Sequence, residues 1–196
     1  MIDKLEFLDW TKELEDQGVQ LVAVSKVHPV DKIKEVYDWG HRDFGENRVQ
    51  ELLEKHAELP KDICWHLIGH LQRNKVKDIV GFIGLIHSVD SARLLNKIEK
   101  EAAKIGREVP ILLQLKIAEE ESKYGLRVEE LIALCEKIAN DSYPHIELCG
   151  LMGMASFTDN SEQVEREFHK LSSLFEQMKS KNFPKDPNFT IRSMGM

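Results

Sequence analysis

Lys26 is the residue with the most chemistry to offer. It follows the apolar run 21–25 in LVAVSKVHP. An amine against an apolar strand is partly desolvated, which disfavours its charged form. The uncharged amine is a nucleophile that condenses with an aldehyde to a Schiff base. The bland reading is a lysine that has simply emerged into solvent. In FGENRVQE, Asn47 can both donate and accept, so it could orient a ring substituent; alternatively it caps a helix over 48–57. WHLIGHLQRNK holds His66 and His70 four residues apart, a spacing that suits a zinc site only on a helix. The segment reads as strand then loop and offers no third ligand, so no metal is expected. His66 is either a barrel-interior group or a satisfied core histidine. In the final SMGM, Ser193 and Gly195 suit close backbone approach to a phosphate. Ser88, Asp90, Gln114, Lys116, Met152 and Met154 lie at the ends of middle apolar segments, each weak alone.

The elements that must position these residues alternate. Apolar segments at 21–25, 43–46, 63–69, 81–89, 110–116, 146–152 and 189–195 are each followed by a stretch with helical periodicity, except the last. Several are near-continuous apolar runs, the mark of strands buried on both faces of a parallel sheet. Pro29 opens one helix, with Gly40 past its end. Asp90 or Ser91 caps another, which Gly106 closes. Val128, Leu131, Ile132, Cys135 and Ile138 stripe a third, and Asp159 with Glu162 offers a capping box to a fourth. Repeated strand–helix units imply right-handed crossovers, in an open doubly wound sheet or a barrel. Seven strands are counted where a closed barrel needs eight, and pattern alone does not choose between the two.

The 196 residues read as one domain, 1–196. A net charge of −7 argues against non-specific nucleic-acid binding, which needs basic patches. Cys64, Cys135 and Cys149 form no CxxC pair, which fits reduced thiols in the cytoplasm. No apolar run approaches a membrane span, and the acidic, amphipathic N-terminus is wrong for a secretory signal. The chain is expected to be cytoplasmic and monomeric.

The motifs AVSK-x-x-P, FGEN-x-V-Q-E, WH-x-IG-x-LQ-x-NK, SVDS, E-x-x-K-x-G (Glu120 to Gly125), GLM-x-M and SMGM occur in this order between residues 21 and 196. Together they resemble the pyridoxal phosphate homeostasis protein family, also called the proline synthase co-transcribed family. Its fold is similar to the N-terminal barrel of bacterial alanine racemase. The resemblance implies a (β/α)8 TIM-type barrel, with the eighth strand absent from this chain. It implies pyridoxal 5'-phosphate as cofactor, carried by Lys26 as an aldimine, with Asn47 and His66 nearby and Met194 and Met196 beside the phosphate. It implies a non-catalytic carrier or regulator in vitamin B6 homeostasis; the alternative is an amino-acid racemase-type enzyme. Racemases use a tyrosine acid/base, and Tyr37, Tyr124 and Tyr143 sit in no matching motif. Family members continue past SMGM with phosphate-binding residues and a closing strand. The chain therefore reads as truncated, and the resemblance covers the lysine side of the site.

Overall fold

The computed structural model describes residues 3–118 and 124–195. Helix α1 (Lys4–Asp16) precedes β1 (Ala23–Val24), α2 (Val30–Asp38), β2 (Asp43–Glu46), α3 (Val49–Glu58) and β3 (Cys64–Leu67). A 3-10 turn at Arg73–Lys75 leads to α4 (Val76–Ile79), β4 (Leu85–Val89), α5 (Ala92–Ile105) and β5 (Val109–Leu115). The last elements are α6 (Val128–Ala139), β6 (Ile146–Met154), α7 (Ser161–Asn182) and β7 (Ile191–Gly195). The seven strands form one sheet in strict chain order, and every pairing is parallel. A doubly wound sheet reverses its order at a switch point. Unbroken order is barrel topology, here an open half-barrel with β1 and β7 at its edges and no eighth strand among the described residues.

Both faces of β2 to β6 are largely buried, which explains their apolar runs, while the edge strands β1 and β7 are partly exposed. On the outer face Phe44, Trp65, Leu67, Ile86, Leu113 and Leu151 share the main core with helix residues Leu52, Ile79, Leu95, Ile98, Leu131 and Leu171. On the inner face a second cluster joins Leu85, Leu112, Cys149 and Met152, with Met154 and Ile191 against it. Alternation along each strand divides the two sets.

Several boundaries differ from the sequence reading. The run 21–25 gives a ladder of only two residues, Ala23 and Val24, paired with Phe44 and Gly45 of β2. Residues 81–84 belong to the turn before β4. Pro29 is the N-cap of α2, with Val30 its first helical residue. Asn160, not Asp159, caps α7 by accepting from Gln163 N–H at 3.2 Å. Ser91 caps α5, and Gly106 ends it in the left-handed region at φ 61°. Gly150 is needed where β6 shifts register: its φ is +149°, and a Cβ there would lie 1.9 Å from the Ile191 carbonyl oxygen. Only glycine lets β7 close onto β6 at that point.

Candidate functional site

Lys26 stands in the turn after β1, at the C-terminal rim of the sheet, where parallel α/β folds carry their sites. It is exposed, so the desolvation expected from its apolar strand is not present. Its amine has no ion-pair partner among the described residues. The turn that carries it is nonetheless held firmly. Val27, next in the chain, has φ 60°, a conformation that costs a β-branched residue about 1–3 kcal/mol. Two hydrogen bonds secure it: Val27 N–H donates to Glu51 Oε1 at 2.6 Å, and His28 N–H to the Ser25 carbonyl at 3.1 Å.

Beneath this turn lies a buried ammonium. Lys55 Nζ on α3, 5% exposed as a residue, donates to the Ser25 carbonyl (2.7 Å), Glu46 Oε1 (2.6 Å) and Glu51 Oε1 (2.6 Å). Ser25 Oγ adds a 2.6 Å bond to Glu46 Oε1. The hydrogen bond from Lys55 is the main reason the Glu51 carboxyl is held below the ordinary glutamate range. One cation therefore ties the end of β1, the end of β2 and the first turns of α3 together, and it fixes where Lys26 leaves the strand. Sequence reading missed Lys55, because a lysine four residues after a glutamate in a helix normally marks a solvated pair.

Asn47 lies on the same rim, just after β2. It is not a cap: Arg48 is the N-cap residue of α3. Its amide has no hydrogen bond among the described residues, which leaves both its donor and its acceptor available. Gly69 lets the next loop approach it, since a Cβ at Gly69 would lie 2.4 Å from the Asn47 carbonyl oxygen. Ser88 Oγ supports that loop from below by donating to the Gly69 carbonyl at 2.6 Å.

His66 sits lower, in register with Gly45, and is buried. It belongs to a line of four side chains crossing the half-barrel interior. His66 Nε2 meets Asp43 Oδ1 at 3.0 Å, His66 Nδ1 meets His87 Nε2 at 2.9 Å, and His87 Nδ1 meets Ser193 Oγ at 2.9 Å. One direction satisfies every group with neutral rings: Ser193 O–H donates to His87, His87 Nε2–H to His66, and His66 Nε2–H to the Asp43 carboxylate. Burial of Asp43 opposes its ionisation, but hydrogen bonds from His66 and Gln20 outweigh it and hold the carboxyl low. Burial, with His66 beside it, depresses His87 to about 3. Both nitrogens of His66 are engaged, so toward a rim ligand it offers a positioned ring. His87 was missed in the sequence because it lies inside an apolar strand run.

That depression sets a pH dependence. The unfolded chain takes up a proton on His87 near its ordinary value of 6.5, and the folded chain only near 3. The contribution is fully present above pH 6.5 and is lost as pH falls toward 3, at up to about 1.4 kcal/mol per pH unit. His87→Gln should flatten the fall in urea-unfolding stability between pH 6.5 and 4 by about that one-proton slope. The same slope in both proteins would contradict a neutral buried His87.

The remaining sequence candidates divide. Ser193 faces the interior, as described. Met194, 44% exposed, alternates onto the face of Arg192, whose guanidinium reaches Glu176 of α7 at 3.4 Å, so only its backbone lies toward the inner rim. Met196 lies outside the described residues, as does most of the Glu120 to Gly125 motif. His70 pairs with Asp90 at 3.0 Å and stacks on Tyr124 at 4.7 Å. Tyr37 and Tyr143 are occupied by Asp62 and Asn96, each at 2.8 Å. No helix among the described residues is long and apolar enough to cross a membrane.

Comparison with known proteins adds to this geometry. The alanine racemase N-terminal domain family matches residues 8–196. A pyridoxal phosphate homeostasis protein of Helicobacter pylori is 37% identical over 180 residues, covering 91% of this chain and 77% of that protein. The human protein of the same name is 41% identical over 189 residues, covering 90% and 67%. The solved structure of PipY from Synechococcus elongatus with PLP bound is similar at a TM-score of 0.82 and 29% identity, covering 98% of both chains.

Proposed function

From the premise that the chain belongs to the alanine racemase N-terminal domain family, we propose that it binds pyridoxal 5'-phosphate through Lys26 and serves vitamin B6 homeostasis. The observation that carries this reading is the Lys26 amine: exposed at the rim, without an ion-pair partner among the described residues, on a turn fixed by Lys55, Glu46 and Glu51. The cofactor supplies an aldehyde that condenses with a primary amine, on a ring that withdraws electrons. The residues fit that group on the lysine side. Lys26 provides the amine, and Asn47 provides an unpaired donor and acceptor on the next strand end. Ser193 provides a hydroxyl, and the backbone of Met194 and Gly195 continues the inner rim.

The chain acts as a carrier or regulator without turnover of its own. Racemisation needs acid/base groups on opposite faces of the reacting carbon. Tyr37 and Tyr143 are tied to side chains elsewhere. The rim does hold an acid/base pair, His70 oriented by Asp90, and that observation keeps the racemase reading worth testing. Two measurements decide. Titration with pyridoxal 5'-phosphate should give a visible absorbance band saturating at one equivalent; no band would overturn the binding reading. Incubation of the loaded protein with L-alanine, followed by chiral analysis, should show no turnover; rates on the order of 1 per second or more would make it an enzyme.

A further inference from the structure

We propose that Asp43, Cys64 and His66 form a binding site for a divalent transition metal of the zinc class, on the inner face of the sheet at the end opposite Lys26. The strand register creates it. Asp43 pairs with Cys64, and Gly45 pairs with His66, so D-x-G on β2 faces C-x-H on β3 with all three donors on one face. His66 Nε2 lies 3.0 Å from Asp43 Oδ1 and 3.4 Å from Cys64 Sγ, and all three donor atoms fall within 4.8 Å of one another. Zinc bonds of roughly 2.0–2.3 Å at tetrahedral angles place ligand atoms about 3.3–3.7 Å apart. The Cys64–His66 edge already fits that range, the Asp43–His66 edge needs to open by a few tenths of an ångström, and the Asp43–Cys64 edge, within 4.8 Å, closes by rotation of the two side chains.

The donor types choose the metal. One thiol, one imidazole and one carboxylate suit Zn²⁺ or Co²⁺; Mg²⁺ and Ca²⁺ take oxygen ligands. Three protein ligands leave a fourth position open. A metal-bound imidazole needs a partner on its other nitrogen, and His66 Nδ1 has one in His87 Nε2 at 2.9 Å. With Nε2 on the metal, the line reverses: His66 Nδ1–H donates to His87, and His87 Nδ1–H donates to Ser193 Oγ. Each ring keeps one proton throughout, so the single proton released on binding comes from the Cys64 thiol. Access exists as well. Asp43 lines a surface cavity of about 640 Å³ with Gln20, Trp39 and His41, and its side chain is 21% exposed.

The test uses the whole chain and Co²⁺ as probe. One equivalent should produce sulfur-to-cobalt charge transfer in the near ultraviolet and the strong visible bands of four-coordinate cobalt, both displaced by Zn²⁺. Cys64→Ser should remove the charge-transfer band, and Asp43→Asn or His66→Gln should weaken binding at least tenfold. A measurement on the unaltered protein guards against misfolded variants: one equivalent of Zn²⁺ should protect Cys64, but not Cys135 or Cys149, from alkylation as read by mass spectrometry. A cobalt spectrum that persists in Cys64→Ser, or a Cys64 alkylated equally fast with and without Zn²⁺, would overturn the site.

Discussion

Lys26→Ala is expected to abolish the visible band that pyridoxal 5'-phosphate acquires on the protein, while leaving the fold intact. The two halves of this expectation have separate grounds. Lys26 is exposed, and among the described residues its amine makes no ion pair, so its removal should change stability by no more than about 0.5 kcal/mol. Covalent capture, by contrast, requires a primary amine at that point on the rim, and neither alanine nor arginine supplies one; a guanidinium stays protonated at any working pH. Borohydride reduction of the loaded wild-type protein, followed by digestion, should place the pyridoxyl group on the peptide containing Lys26. Finding it on Lys75 or Lys123 would sink the assignment. A band that survives in Lys26→Ala would do the same.

The largest loss of stability is expected from a lysine that touches no ligand. Lys55→Met should cost about 3–5 kcal/mol, because it leaves the Glu46 carboxylate buried without its cation. Glu46 is 0% exposed, and its second oxygen already lacks a partner among the described residues. The ion pair between Lys34 and Asp38 on α2 is a built-in control. Its side chains are 55% and 56% exposed, and breaking it should cost no more than about 0.5 kcal/mol. Adding Glu46→Gln to Lys55→Met should recover at least half of the loss, since a neutral amide no longer demands a cation. Urea unfolding measures all three. The same substitution should loosen the turn above it, seen as faster hydrogen exchange at the Val27 and His28 amides. A Lys55→Met protein as stable as wild type would show that the buried ammonium is incidental.

The sheet was legible in the sequence because burial on both faces leaves a pattern that survives without any three-dimensional information. The run 110–116 becomes Val109–Leu115, and 146–152 becomes Ile146–Met154. What pattern did not settle was closure, since a doubly wound sheet and a barrel bury the same residues; strand order settles it. At the site, Lys26 and Asn47 stood out because each ends a strand. Lys55, Glu51 and His87 did not, for a common reason. Their roles depend on which residues the fold places beside them: Lys55 reaches Ser25 across 30 residues, and His87 reaches Ser193 across 106. A Glu–Lys spacing of four and a histidine within an apolar run carry no mark of such partners. His66 and His70 make no metal site by their spacing, because their segment is strand then loop and supplies no third ligand. Asp43, Cys64 and His66 converge through sheet register instead, which a spacing rule within one segment does not detect.

The unbroken strand order bears on how the chain reaches this shape. Each strand's lateral partner is the one just before it in the sequence, so every step of sheet growth closes only a short loop. Contacts of modest sequence separation favour fast folding. An emerging polypeptide can add strand to strand as each helix clears the ribosome, without waiting for its C-terminal half. Among the described residues, the bond between His87 and Ser193 departs from this pattern, because it awaits β7 across 106 residues. Docking of β7 gives His87 its Ser193 partner and moves the open edge of the sheet from β6 to β7.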